Sequence, residues 1–337
     1  MSEPPKRPID QKRESAFSMK IGHHGDGTAI LDMVATTDSL FMVKQDSVHA
    51  VRLADQIDPE RTNINLPNTQ QLFADAGSDS DIVARTLLSA GQLFTKTHFP
   101  DAKIRDRVVL ISAEIMSQLL AAQKVLAQLE TDEERRIAEV RASKDPTRLP
   151  AATEVEARAN TFIQKAEHAL QAIYRLAEIF YGSQMKVEGK FPDNLTLALA
   201  KAFGENDPAT VYAKAVALFA HHVRNTRHCV EHRKENQQVV AKDFQLRLDG
   251  TISPPSITVV HPKTPIEETN LTAFMSAWVE GLTAITETLL LYLAEKNHTP
   301  FGNFPIGVGY VPEEQRAMPK VRVGYLINIG GQWNRIG

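Results

Sequence analysis

Apolar residues recur at three- and four-residue intervals along three long stretches, and that spacing gathers them on one side of an α-helix. Ile104, Val108, Ile111, Ile115, Leu119, Leu126 and Leu129 form the first stripe. Val155, Phe162, Ala166, Leu170, Ile173, Leu176 and Phe180 form the second. Leu271, Met275, Trp278, Leu282, Ile285, Leu289 and Tyr292 form the third, at nearly heptad spacing. A helix with one apolar stripe must bury it against a partner, so the chain is expected to be mainly α, a multi-helix bundle.

The punctuation between the stripes supplies the remaining elements. A helix is expected from about Thr36 to Ile57, stopped by Asp58-Pro59, because the residue before proline is pushed out of the helical region. Asp81 to Thr97 reads as another helix. Asp207-Pro208 is a strong start signal for a helix running to about Asn236. Phe244, Leu246 and Leu248, then Ile257 and Val259, alternate with polar residues on either side of Asp249-Gly250, which predicts a β-hairpin over 243–260 inserted between the last two long helices. Val321, Val323, Tyr325 and Ile327, with Gly330-Gly331 and Trp333, predict a small C-terminal hairpin. The expected organisation is a disordered leader over 1–25, an N-terminal helical region over 26–145, a helical bundle with its hairpin over 150–300, and a tail over 301–337.

With 38 basic and 41 acidic residues the formal net charge is −3, which argues against coating nucleic acid by bulk charge. Any contact with RNA has to be local. Cys229 is the sole cysteine, so no intramolecular disulfide or multi-cysteine zinc cage can form, and a reducing, cytoplasmic location is expected. The apolar run Leu282 to Ala294 is broken by Thr283, Thr286 and Glu287 and falls short of a membrane span, so no membrane partner is expected.

Chemistry concentrates in one stretch, HHVRNTRHCVEHRKEN, starting at His221. At about 100° per residue, Val216, Phe219, Val223 and Val230 share one arc, while His221, Arg224, Asn225, His228, Glu231 and His232 share another. Arg227 sits at the boundary. A solvated face is usually Lys- and Glu-rich, so this mixture of histidine, arginine, asparagine and glutamate points to chemistry rather than solubility.

The segment Arg227-His228-Cys229-Val230-Glu231-His232 resembles the signature of HEPN proteins, an arginine and a histidine four to six residues apart with a polar residue directly after the arginine. The resemblance covers the carboxy-terminal half of the chain and makes 150–300 a HEPN-like helical bundle. It implies a metal-independent endoribonuclease without cofactor, acting as a homodimer on RNA, with a toxin or phage-defence role and an antitoxin or defence-system partner. His232 would move protons and Arg227 would hold the scissile phosphate, with Arg224, Asn225, His228 and Glu231 in support. The residue types suit the task, since histidine titrates near neutrality and guanidinium offers a planar fork to phosphate oxygens.

Two other readings use the same letters. His228-Cys229-Val230-Glu231-His232 also spells H-x-x-E-H, in which His228 and His232 would bind zinc and Glu231 would activate water, with Glu280 or Glu287 as a third ligand. Alternatively the ribbon is a buried hydrogen-bond network or subunit interface of a non-catalytic HEPN-like scaffold. Elsewhere, Asp55, Asp58, Glu60 and Arg61 form a polar loop, His23-His24-Gly25-Asp26-Gly27 looks like a metal-binding tract, and the glycines from Gly302 to Gly309 lack the lysine of a phosphate loop.

Overall fold

The structure is a computed structural model that describes residues 6–14, 29–143, 145, 147–300 and 306–336. Helix makes up 53% and strand 18%, so the mainly helical expectation holds, while the small sheets put the chain outside the pure bundles. It divides into two compact units, one of the residues up to Leu110 with those from His298 onward, the other Ile111–Asn297.

The chain opens with α1 (Pro8–Glu14), whose Arg13 reaches the carboxylates of Asp55 at 3.2 Å and Asp58 at 3.4 Å. The segment expected to be a disordered leader therefore includes a short, paired helix; residues 15–28 lie outside the described residues. The helix expected over 36–57 is replaced by β1 (Asp32–Ala35), β2 (Leu40–Val43) and β3 (Val48–Arg52), followed by a single turn, α2 (Ala54–Ile57). Tight turns decide this: Thr36 N donates to Ser39 O and Lys44 N to Ser47 O, both at 2.8 Å. Phe41, Met42 and Val43 between them and Val48 and Val51 after the second are buried, a mostly β-branched and aromatic set that packs well on a pleated surface. β4 (Thr69–Ala74) completes an antiparallel sheet in the order β1-β2-β3-β4.

The expected helix over 81–97 ends sooner, as α3 (Asp81–Val83), a π turn (Ala84–Leu88) and α4 (Ser89–Leu93). Gly91 lets this segment approach β1 closely, since a Cβ there would lie 3.0 Å from Val34. α5 (Ala102–Ala142) carries the first stripe, and its residues up to Leu110 belong to the first unit. It is long and apolar enough to cross a membrane by length and composition, though Val108, Ile115, Met116 and Leu119 are buried in protein as in a core helix.

In the second unit α6 (Val155–Glu188) runs antiparallel to α5, because Arg158 pairs with Asp132 at 2.5 Å while Arg175, further along α6, pairs with Glu114, further back on α5. α6 also packs on α7 (Asn194–Phe203), α8 (Pro208–Glu231) and the final long helix. Asp207 caps α8 as its sequence predicts: its carboxylate accepts from Ala209 N at 2.9 Å and from Lys296 Nζ at 2.8 Å, with Pro208 in the first turn.

The hairpin expected over 243–260 is larger. β6 (Gln245–Leu246) and β7 (Ile252–Ser253) form its tip around Gly250, at φ +80°, where a side chain would be strained. Its arms are β5 (Gln238–Lys242) and β8 (Ser256–Val260), and β9 (Ile266–Asn270) adds a third strand in the order β5-β8-β9. α9 (Leu271–Asn297) follows and buries Phe274 and Trp278 beside Phe162.

The tail returns to the first unit. β10 (Ile306–Tyr310), β11 (Val323–Ile329) and β12 (Gln332–Ile336) form a three-stranded sheet rather than a two-stranded hairpin. Tyr325 Oη donates to Leu93 O at 2.8 Å, and Lys320 Nζ to Asp79 O at 2.7 Å. The expected partition into 26–145, 150–300 and 301–337 is corrected accordingly. The face of β11 that carries Val323 and Tyr325 needs a cover, and the N-terminal region supplies it.

Candidate functional site

α8 separates core from chemistry much as its periodicity predicts. Val216 and Val223 are buried, joined by Ala220, Thr226 and Cys229, while Phe219 and Val230 are only half-buried. The helix stops sooner than Asn236. His232 leaves the helical region at φ −126°, ψ 60°, with its N–H still donating to His228 O at 2.8 Å. Burial raises the Cys229 thiol above its ordinary value, so it behaves as a core side chain rather than a nucleophile.

The polar ribbon divides in two. His221 Nε2 lies 3.0 Å from Asp193 Oδ1, and Arg224 donates to Phe191 O at 2.5 Å with its guanidinium 5.4 Å over the Phe191 ring. These two side chains tie α8 to the segment before α7. The other half opens on a cleft of about 450 Å³, lined by Arg224, Asn225, Arg227, His228 and Glu231 of α8, Glu167 of α6, Gln237, and the turn His261-Pro262-Lys263 between β8 and β9.

Within the cleft Arg227 Nη2 contacts Glu231 Oε1 at 2.5 Å, one helical turn on, and its Nε is buried without a partner among the described residues. Glu167 is almost fully buried and accepts from Gln171. Asn225 Nδ2 donates to Thr264 Oγ1 at 3.1 Å, and Thr264 lies against His261. The His261 ring is unusually constrained: Nδ1 accepts from the backbone N–H groups of Lys263 and Thr264, each at 3.2 Å, and sits 3.0 Å from Thr264 Oγ1. That assignment places the ring proton on Nε2. Burial, followed by the nearby His228, Lys263 and His222, holds the His261 pKa below its usual value. The result is a neutral imidazole with one N–H left for a ligand.

His232 is exposed and outside the cleft, its ring 4.7 Å from that of His228 at 54°. Arg227 and His232 are thus linked through His228 without sharing the concavity. Three cations (Arg224, Arg227, Lys263) face two carboxylates (Glu167, Glu231), and one of those carboxylates is engaged by Arg227. Such a site can hold a phosphate and hand protons to and from it.

Among the described residues no three His, Cys, Asp or Glu side chains come together as a metal would require, so the zinc reading of His228, Glu231 and His232 finds no third ligand. The Asp55, Asp58 and Arg61 loop is an ion-pair network, with Arg61 Nη2 on Asp55 at 2.8 Å and Asp58 accepting the N–H groups of Thr62 and Asn63. The His23-His24 tract lies outside the described residues. Gly307 and Gly309 are part of β10.

His261, Lys263, Gln237 and Glu167 were not visible as site residues in the sequence. Nothing in local spacing marks them; only the fold brings the turn after Ile257 and Val259 to the end of α8. Comparisons with family models, with curated proteins and with solved structures give no match.

Proposed function

We propose that this protein is a metal-independent endoribonuclease of the HEPN type, acting through the cleft at the carboxy-terminal end of α8. The observation that carries the proposal is the meeting of Arg227 and His228 with His261 and Lys263 around one open cleft, with His232 against His228. Phosphodiester cleavage needs little more than these groups. A base removes the ribose 2′-hydroxyl proton, the 2′-oxygen attacks phosphorus, and the 5′-oxygen leaves as it takes up a proton. The products are a 2′,3′-cyclic phosphate and a 5′-hydroxyl.

In this assignment Arg227 supplies the fork that holds the non-bridging oxygens, with Glu231 orienting it. Lys263 and the His261 Nε2–H stabilise the charge that grows on phosphate in the transition state. His232 transfers protons, and His228 positions its ring. Arg224 and Asn225 act in support, Arg224 by fixing the end of α8 and Asn225 by holding the His261 turn through Thr264. Binding partners follow from the same reading: RNA, a second copy of the chain, and an antitoxin or defence-system protein to restrain it.

Incubating purified protein with structured RNA, with and without chelator, tests this. Cleavage should survive chelator and leave cyclic-phosphate ends. Arg227→Ala and His232→Ala should each lower the rate by about a hundredfold to ten-thousandfold, as loss of a positioned group does, while thermal melting is unchanged. Absence of cleavage, with the same substitutions lowering the melting temperature, would instead identify a non-catalytic scaffold. The ties from His221 to Asp193 and from Arg224 to Phe191 favour that second reading.

A further inference from the structure

A second cleft, in the first unit, has a different character. It encloses about 640 Å³ between β1 and β12, each at an edge of its sheet, with the His98 and Tyr325 rings stacked in its wall at 3.5 Å and 13°. That volume falls within the range of small-molecule sites, roughly 300–1,000 Å³.

Charge is its defining feature. Lys96, Arg105 and Arg335 line it against a single carboxylate, Asp32, and among the described residues none of the three cations forms an ion pair. Arg105 gives Nη1 to Phe99 O at 2.6 Å and Pro100 O at 2.8 Å, and Arg335 gives Nη1 to Gln315 O at 3.2 Å. Those bonds fix both guanidinium groups, and among the described residues neither Nη2 nor Lys96 Nζ has a hydrogen-bond partner. Among the described residues His98 Nδ1 and Arg335 Nε are buried without partners. Three cations against one carboxylate leave the concavity with a positive surplus that attracts anions, and guanidinium forks match phosphate geometry. The rest of the wall mixes apolar Met33, Val34 and Val109 with polar Gln92, Thr95 and Thr97, and it extends well beyond what a bare phosphate would fill.

We propose that the cleft between β1 and β12 binds a small phosphorylated molecule of nucleotide size, its phosphate on Lys96, Arg105 and Arg335 and its organic part against Met33 and Val34. This stands independently of the ribonuclease reading, which concerns the other unit.

Calorimetric titration of the full-length protein with ADP, inorganic phosphate, adenosine and a short single-stranded oligonucleotide tests it. ADP should bind saturably at one site per chain, phosphate should compete with it, and adenosine should bind far more weakly. Lys96→Glu, at an exposed position that leaves the fold intact, and Arg335→Gln should each weaken ADP by about tenfold or more, because each removes a charge-assisted contact. Arg227→Gln, in the other cleft, should leave ADP binding unchanged. Failure of ADP and phosphate to bind saturably would overturn the proposal. So would ADP binding that responds to Arg227→Gln and not to Lys96→Glu, or binding of the oligonucleotide alone.

Discussion

Glu133 has one carboxylate oxygen sealed from solvent without a hydrogen-bond partner among the described residues, and burial, with Glu130 and Asp243 nearby, pushes its pKa up to about 7. In the unfolded chain the same group titrates near its ordinary 4.5. Between those values the folded protein holds a proton that the unfolded chain has released, so this group's contribution to stability is fully present below pH 4.5 and is lost as pH rises to about 7. With the group partly exposed, the loss should be on the order of 1–2 kcal/mol after screening. Glu133→Gln keeps the shape and the neutral state. Urea denaturation at pH 5 and pH 8 should show wild type losing stability across that interval and the variant losing less, with the variant the more stable at pH 8. An equal pH slope in both proteins would refute the assignment. The α8 residues were legible at this scale because helical periodicity alone puts Arg224, Asn225, His228 and Glu231 on one side. His261 was not, since its value comes from a turn whose two N–H groups fix the imidazole tautomer.

Among the elements, long helices were the most legible and short strands the least. Stripes over α5, α6 and α9 repeat often enough to outweigh local ambiguity, whereas β1 to β3 are four or five residues each and their apolar residues also suit a helix. What distinguishes them is the turns, and these depend on close backbone packing that Gly77 makes possible. Ser78 N and Asp79 N donate to Lys44 O and Gln45 O at 2.9 and 3.1 Å, and a Cβ on Gly77 would lie 2.2 Å from Lys44 O and 2.6 Å from Gln45 O. Backbone cannot step aside as a side chain can. Gly77→Ala should therefore destabilise by about 1–3 kcal/mol or more, as overpacking does, and should cost more than Gly91→Ala, where the added atom meets only the Val34 side chain at 3.0 Å. Thermal unfolding of both variants checks the order; equal melting temperatures would mean that the turn over 44–47 relaxes freely.

For the whole molecule, the question is whether one chain holds a complete site. Arg227 faces the cleft, but His232 stands exposed beyond it, just past the end of α8, so in the proposed dimer a substrate phosphate on Arg227 of one protomer would meet His232 of a second. In that proposed dimer, two-fold association would build two equivalent sites, each taking its arginine from one chain and its histidine from the other. This arrangement was only partly legible in the sequence: a motif confined to one helix face suggests half a site, yet the uneven placement of its two ends emerges only where the helix stops at Glu231 rather than near Asn236. If the proposed dimer is built this way, inactive variants should complement each other. Co-expressed, differently tagged Arg227→Ala and His232→Ala chains, purified as the mixed dimer, retain one intact Arg227 and His232 pair across the interface. That dimer should recover up to about half of wild-type RNA cleavage, since symmetry leaves one of two sites whole, while each variant alone stays inactive. A mixed dimer as inactive as its parents, beside an active wild type, would place the complete site within a single chain; a wild-type mass of one protomer at micromolar concentration would exclude the dimer itself.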